Sequence, residues 1–260
     1  MLLKDRVAVV SGIGPGMGRD ISLALAREGA DVVLAARGAD KLASVAADVR
    51  ALGRRAVEVP TDIARDEDCR RLVDTAIKEL GRVDVLVNNA FKGGVEPLFS
   101  DIDLAEWRKV FDVNVFGALQ LTQAVVRHMR QRGGGGSIIF INSMSMRIIE
   151  PRFASYASSK GALMVAAQSL ARELGPDKIR VNSVVPGYIW GAALEGYFKS
   201  LAKQQGVTPD DIYKQIASRT ALHHIPTSEE IADAVVFFAS DLSRVVTGQA
   251  LDVNGGHHFH

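Results

Sequence analysis

The sequence is poor in the features that would put a protein in a membrane, in an oxidising compartment or on nucleic acid. It has a single cysteine, Cys69. One cysteine excludes an internal disulfide, and without a spaced set of His and Cys partners it makes neither a zinc site nor a redox pair. No apolar run approaches the roughly 18 residues that cross a bilayer. The opening MLLKDRVAVVSG reaches charge at Lys4 and is too short an apolar stretch for a signal peptide. No membrane association and a reducing, cytoplasmic setting are therefore expected. Charge of one sign is also missing: 31 Lys and Arg stand against 30 Asp and Glu, a formal +1. Such a chain has no global field to draw nucleic acid or anionic lipid, so the expected partner is a small molecule.

What is present is an ordinary globular composition, 47% apolar and 23% charged over 260 residues. That suffices to bury a substantial core, and a length of this order is common for one α/β domain. Short β-branched runs at 6–11, 31–36, 56–60, 83–88, 137–142, 179–185 and 249–253 alternate with helical periodicity at 17–28, 39–51, 66–80, 103–131, 154–174 and 228–240. The alternation predicts βαβ units: one doubly wound, Rossmann-like domain with a seven-stranded parallel sheet and helices on both faces.

Gly29, Gly53, Gly81 and Gly175 stand just past the last turns of four helices, where positive φ is wanted. The run of four glycines at 133–136 reads as a flexible connector. The segment 187–226 breaks the alternation and carries Tyr188, Trp190, Leu194, Tyr197, Phe198 and Leu201. A segment this long is expected to be a substrate lid. The alternative is a helical pair that closes the core or meets another subunit.

After the first run comes SGIGPGMGRD, in which Gly12, Gly16 and Gly18 give G-x-x-x-G-x-G rather than G-x-G-x-x-G. Glycines there permit a tight turn and close backbone approach, and the following helix offers free amides to a pyrophosphate. Downstream stand NNA at 88–90, Asn114 in FDVNVFG, Ser143, and Tyr156 four residues before Lys160. In this order and spacing, the chain from Val7 to Gly256 resembles the short-chain dehydrogenase/reductases. The resemblance implies an NAD(P)-dependent enzyme acting on CH–OH groups. It also implies cofactor contacts from Ser11, Gly12, Ile13, Gly14, Gly16, Met17 and Gly18, from Asp62 and Ile63 flanking the adenine, from Asn89 and Ala90 on the adenosine side, and from Pro186, Gly187 and Ile189.

Such folds usually end the second strand with an acidic residue that bonds the adenosine ribose. Here Ala36 is followed by Arg37. A guanidinium there can pair with a 2′-phosphate that a carboxylate would repel, so NADP(H) is expected over NAD(H). A solvated surface arginine is the plainer reading of Arg37.

By the same resemblance Tyr156 is the acid/base, Ser143 bonds the carbonyl oxygen, Lys160 tunes the tyrosine and holds the nicotinamide ribose, and Asn114 supports the lysine. No metal is implied. Tyr156 and Lys160 share a helix face, and Ser143 leaves the carboxyl end of the fifth strand, where α/β sheets bind ligands. A tyrosine working near pH 7.5 needs its pKa lowered by about 2.5 units, roughly 3.4 kcal/mol. An ammonium about 5 Å away at an effective dielectric near 20 supplies on the order of 3.3 kcal/mol. The sequence thus predicts a tyrosine acidified by its lysine.

Phe91 stands where the family usually has glycine, and Trp190 and Gly191 replace a polar pattern that contains threonine. Met144, Met146, Ile148, Ile149 and Phe153, between the serine and the tyrosine, suggest a pocket for a hydrophobic ketone or alcohol, with core packing as the alternative. His223 and His224 fall in the expected lid, and the terminal GGHHFH lacks the carboxylates and fixed spacing of a metal site. The expected activity is NADP(H)-dependent interconversion of a secondary alcohol and a ketone. Reduction of 3-oxoacyl thioesters, the NAD version and a non-catalytic nucleotide sensor are the alternatives. Homo-oligomers, usually tetramers built on the helices at 103–131 and 154–174 and on the last strand, are the family norm.

Overall fold

A computed structural model describes residues 1–259. Seven strands, β1 (Val7–Ser11), β2 (Asp31–Ala36), β3 (Ala56–Pro60), β4 (Val85–Asn88), β5 (Gly136–Ile141), β6 (Ile179–Pro186) and β7 (Ala250–Val253), form one sheet. All neighbours pair in parallel, in the order β3-β2-β1-β4-β5-β6-β7. Among the described residues nine α-helices connect them: α1 (Met17–Arg27), α2 (Ala39–Ala51), α3 (Asp66–Leu80), α4 (Leu104–Phe111), α5 (Ala118–Arg132), α6 (Ala154–Leu174), α7 (Ala192–Gln205), α8 (Pro209–Ala217) and α9 (Ser228–Ala239).

The strands read as unbroken apolar runs because both faces of the sheet are covered. On one side Ile21 and Leu25 of α1, Leu42 and Val45 of α2 and Ile231 and Val235 of α9 pack on Ala8, Val10, Val32 and Leu34. On the other, Leu72 of α3, Leu121 and Val125 of α5 and Leu163 of α6 pack on Val7, Val9, Leu86 and Ile138. No helix among the described residues is long and apolar enough to cross a membrane.

Strand order reverses between β1 and β4. At such a switch point the connections leave on opposite faces and open a crevice at the carboxyl edge. The register aligns Ser11 with Asn88, Asn88 with Phe140 and Ile141 with Val184. The residues just past each strand, Gly12, Asn89, Asn142 and Ser143, and Gly187, therefore gather along one edge.

Three local expectations are corrected, and the segment 187–226 gains its shape. The helical stretch read over 103–131 is interrupted by a wider π-type turn at Asp112–Gly117, where Gly117 lies so close to Ile63 that an added Cβ would stand 2.9 Å from its carbonyl oxygen. Gly175 does not hold positive φ: it stays right-handed at −51°, the chain continues through a 3-10 turn, and Lys178 takes the left-handed position at 60°. The glycine run does not serve as a connector throughout: it turns at positive φ, packs at Gly135 and enters the sheet at Gly136. Gly133 to Gly135 have φ of 73°, 81° and 77°, a Cβ on Gly135 would lie 2.3 Å from the Lys178 carbonyl, and Gly136 already belongs to β5. Finally, 187–226 is the helical pair α7–α8, with a small core of Phe198, Ala202, Ile212, Ile216, Ala217 and Ile225. Trp190 closes its base, with its backbone N–H donating to the Pro226 carbonyl (2.7 Å) and its ring edge-on to Tyr213.

Candidate active site

The first crossover is shaped by what a side chain would strike. Gly12, at φ +80°, passes the chain end of β4 so closely that a Cβ would lie 2.5 Å from the Cα of Ala90, and one on Gly18 would lie 2.4 Å from the Gly12 carbonyl. Gly14 and Gly16 have nothing within 4 Å of a Cβ. The turn is thus tight against the protein on one side and open on the other. Ser11 is fully buried beneath it; its hydroxyl donates to the Val87 carbonyl (3.4 Å) and accepts the N–H of Asn89 (3.2 Å).

Two cavities lie along this edge. The larger, about 580 Å³, includes Gly12, Ile13, Arg37, Lys41, Asp62, Ile63, Asn89 and Ala90 in its wall. The smaller, about 240 Å³, includes Gly14, Met17, Gly18, Ser143, Tyr156, Lys160, Pro186, Gly187 and Ile189. Gly12, Asn89 and Phe91 belong to both walls, which makes one groove in two compartments.

Three groups converge on the smaller compartment. Ser143 sits just beyond β5, and its hydroxyl accepts the N–H of Ser145 (3.2 Å) to cap a short 3-10 turn. Tyr156 and Lys160 come from the first turns of α6. The lysine ammonium lies 5.6 Å from the centre of the tyrosine ring and donates to the carbonyl of Ile141 at 2.7 Å. Asn114 is 1% exposed and does not reach the cavity. From the π-type turn it accepts the N–H of Lys92 (2.7 Å) and donates to the Lys92 carbonyl (2.9 Å) and to Ser159 (2.9 Å). It ties the segment after Ala90 to α6, one residue from Lys160. A wide turn exposes backbone and re-aims side chains in just this way.

That segment straps Tyr156. Gly93 lies so near the ring that a Cβ would stand 2.6 Å from Cδ2. Phe91 meets the same ring edge-on, with centres 6.2 Å apart. Further along, the Glu96 backbone N–H donates to the Arg152 carbonyl (2.8 Å) and the Arg152 side-chain Nε donates to the Glu96 carbonyl (2.8 Å). The Glu96 carboxylate accepts the N–H (3.1 Å) and the hydroxyl of Ser155 at the start of α6, where a negative charge is favoured.

The electrostatics differ from expectation. Burial raises the Tyr156 phenol above its usual pKa, and a hydrogen bond with Ser143 opposes the rise. Burial lowers the Lys160 ammonium to about 8. The predicted lysine-acidified tyrosine is not the arrangement found. Both groups are out of water, where the charged form of each is disfavoured, and this burial opposes the acidifying effect of the neighbouring ammonium.

Comparisons with known proteins identify the family. Residues 12–258 match the family model described as enoyl-(acyl carrier protein) reductase. The chain belongs to the short-chain dehydrogenase/reductase family. It is 35% identical over 254 residues to 7alpha-hydroxysteroid dehydrogenase of Escherichia coli K12, covering 98% of this chain and 94% of that one. It is 35% identical over 262 residues to L-rhamnose 1-dehydrogenase (NAD(P)(+)) of Azotobacter vinelandii, covering 98% of each. The crystal structure of carveol dehydrogenase from Mycobacterium avium in complex with NAD superposes with a TM-score of 0.92 at 30% identity and 98% coverage of both chains. As a short-chain dehydrogenase/reductase, the protein is an NAD(P)-dependent oxidoreductase acting on CH–OH groups.

The residues present suit a dinucleotide. A Cβ at Gly12 or Gly18 would fill the turn's close approaches, and the Asn142 side-chain oxygen is buried without a protein partner in the wall of the smaller compartment. Of the residues expected to touch cofactor, Ser11 and Gly16 do not line the groove. Ser11 is buried behind the turn, and Gly16 starts α1 at φ 118°. Sequence reasoning passed over Lys41, Thr61, Lys92 and Gly93, which line the larger compartment. Lys41 had a readable signal, a cation one turn into the helix that follows Arg37. The apolar loop residues Met144, Met146, Ile148, Ile149 and Phe153 are not in the cavity wall; Met144 packs instead against Asn254, near Gly187. His224 bonds Glu230 (2.7 Å) and His257 stacks on Tyr188 at 5.8 Å; His260, the third histidine of the terminal group, lies outside the described residues.

Proposed function

We propose that this short-chain dehydrogenase/reductase interconverts a secondary alcohol and a ketone on a fairly hydrophobic small molecule, prefers NADP(H), and uses Tyr156 as its acid/base. The observation that carries the reading is the meeting of Ser143, Tyr156 and Lys160 in one compartment that opens, past Gly12 and Asn89, into a groove ending at Arg37 and Lys41. A bound dinucleotide would supply the hydride chemistry. The protein's own part is to hold the substrate oxygen between the Ser143 hydroxyl and the Tyr156 phenol. Tyr156 gives that oxygen its proton in the reducing direction and takes it in the oxidising one. Lys160 favours the phenolate when it is charged, and Asn114 fixes the strap that packs on the tyrosine.

NADP(H) is favoured because Arg37 follows the end of β2 at Ala36 and α2, which begins at Ala39, has Gly38 before it and no side-chain cap. That end offers two cations and free helix amides to a 2′-phosphate. Phe91, Met17, Pro186 and Ile189 around the smaller compartment favour an apolar substrate. The α7–α8 pair is the natural substrate lid of this single catalytic domain. Exposed Phe116 and Val165, on the continuous α4–α5 unit and on α6, suit a homo-oligomer, a tetramer or a dimer.

The test is Tyr156→Phe, with dinucleotide binding verified, assayed on cyclic and steroid-like ketones beside an acetoacetyl thioester. Turnover is expected to be lost, and turnover at the parent rate would end the acid/base role. A thioester preferred over every ketone would move the substrate class. For the cofactor, dissociation constants for NADPH and NADH are expected to favour NADPH, and tighter NADH binding overturns the preference.

A further inference from the structure

Phe91 is the one large apolar side chain common to the walls of both compartments, and it is 64% exposed. An aromatic ring left this open on the floor of a groove needs something to cover it. It is not loose. Its neighbour Lys92 is held through both backbone groups by Asn114, Gly93 is pressed on Tyr156, and its own ring stands edge-on to that tyrosine at 6.2 Å. The loop is thus anchored just after the ring while the ring itself remains exposed at the groove. The junction it occupies, beside Gly12 and Asn89, is where a ligand long enough to fill both compartments has to pass.

We propose that Phe91 is an aromatic latch: its exposed face is covered by the dinucleotide where it crosses between the two compartments, and its edge meanwhile packs on Tyr156. This rests on the dinucleotide reading of the groove. The apolar surface so covered holds the bound molecule and slows its departure, since affinity differences among variants of one site lie mostly in the dissociation rate. A ligand confined to the adenosine end stops short of the junction and gains nothing from the ring.

The experiment compares the parent, Phe91→Ala and Phe91→Leu by nicotinamide fluorescence, measuring equilibrium binding and stopped-flow release of NADPH and NADH. Adenosine 2′,5′-bisphosphate and AMP are titrated calorimetrically alongside. For whichever dinucleotide the parent binds, Phe91→Ala is expected to weaken binding about tenfold, mainly through faster release, with Phe91→Leu recovering most of the loss. The adenosine fragments are expected to bind all three proteins alike. Unchanged or tighter dinucleotide binding in Phe91→Ala would mean that the ring is idle or obstructs the groove, and overturns the latch. Equal loss for the short fragments would point to a disturbed loop and overturns it too. A parent that binds neither dinucleotide overturns the cofactor reading and the latch together, whereas a binding parent with an indifferent Phe91→Ala overturns the latch alone.

Discussion

Replacing Lys160 by Met in the dinucleotide-free protein should make the fold more stable at neutral pH, not less. Lys160 is 3% exposed, its ammonium bonds one backbone carbonyl, and it makes no ion pair with any described residue. Burial lowers its pKa from 10.5 to about 8, a difference worth about 3 kcal/mol. Because the folded value lies below the unfolded one, the unfolded chain holds more protons across that interval. The charged lysine therefore costs stability in full below pH 8, and the cost is recovered as pH climbs from 8 toward 10.5. Tyr156 does not blur this window: its pKa is raised above 10, so its stabilising share is complete below pH 10 and falls away only above it. Methionine abolishes the charge penalty but leaves the Ile141 carbonyl without its donor, a loss of about 1 kcal/mol. Lys160→Met should thus exceed the parent by about 2 kcal/mol at pH 7 and lose that advantage by about pH 10. Urea unfolding of both proteins at matched concentration between pH 7 and 10 checks it, and the difference isolates Lys160 because every other titrating group is shared. A difference that stays flat across that range refutes the buried, weakly compensated ammonium.

Two predictions concern the strap. In Gly93→Ala the new methyl would stand 2.6 Å from Tyr156 Cδ2; on an open loop the fold tolerates this but the ring does not, so kcat should fall by about 10²-fold with little change in melting temperature. Parent-like kcat would show that the ring has room. In Glu96→Ala the start of α6 loses the carboxylate that accepts from Ser155, worth about 1 kcal/mol as a cap. Melting should drop by about 2–4 °C, and limited proteolysis should open the chain at 91–98 first; an unchanged cleavage pattern would argue that the strap is held elsewhere.

The sequence carried the scaffold because its signals are local. Seven β-branched runs with glycine stops say parallel sheet, and the ends of those runs already mark the edge where Gly12, Asn89, Ser143 and Gly187 meet. Tyr156 and Lys160 share a face by helical spacing alone. What stayed hidden depends on packing between distant segments. Nothing in FDVNVFG announces a wide turn, and the close approach of Gly117 to Ile63 shows only once the two segments are packed together. Glu96 looks like a solvated acid until α6 is placed beside it. Gly93 reads as a loop glycine, although its missing side chain is what lets the strap touch Tyr156. Phe91 stood out as a departure, yet its ring contact required both walls of the groove. Helices α7 and α8 had the apolar residues of a helical pair, and the capping box of Thr208 and Asp211 was there to be read.

Coulomb attraction alone gave a tyrosine ready to lose its proton, but the fold has buried both partners, and burial acts on each toward neutrality. On the proposed acid/base role of Tyr156, oxidation would call for the phenolate, which burial disfavours and a charged Lys160 favours. Positive charge brought into the groove from outside the chain would act in the same sense as the lysine.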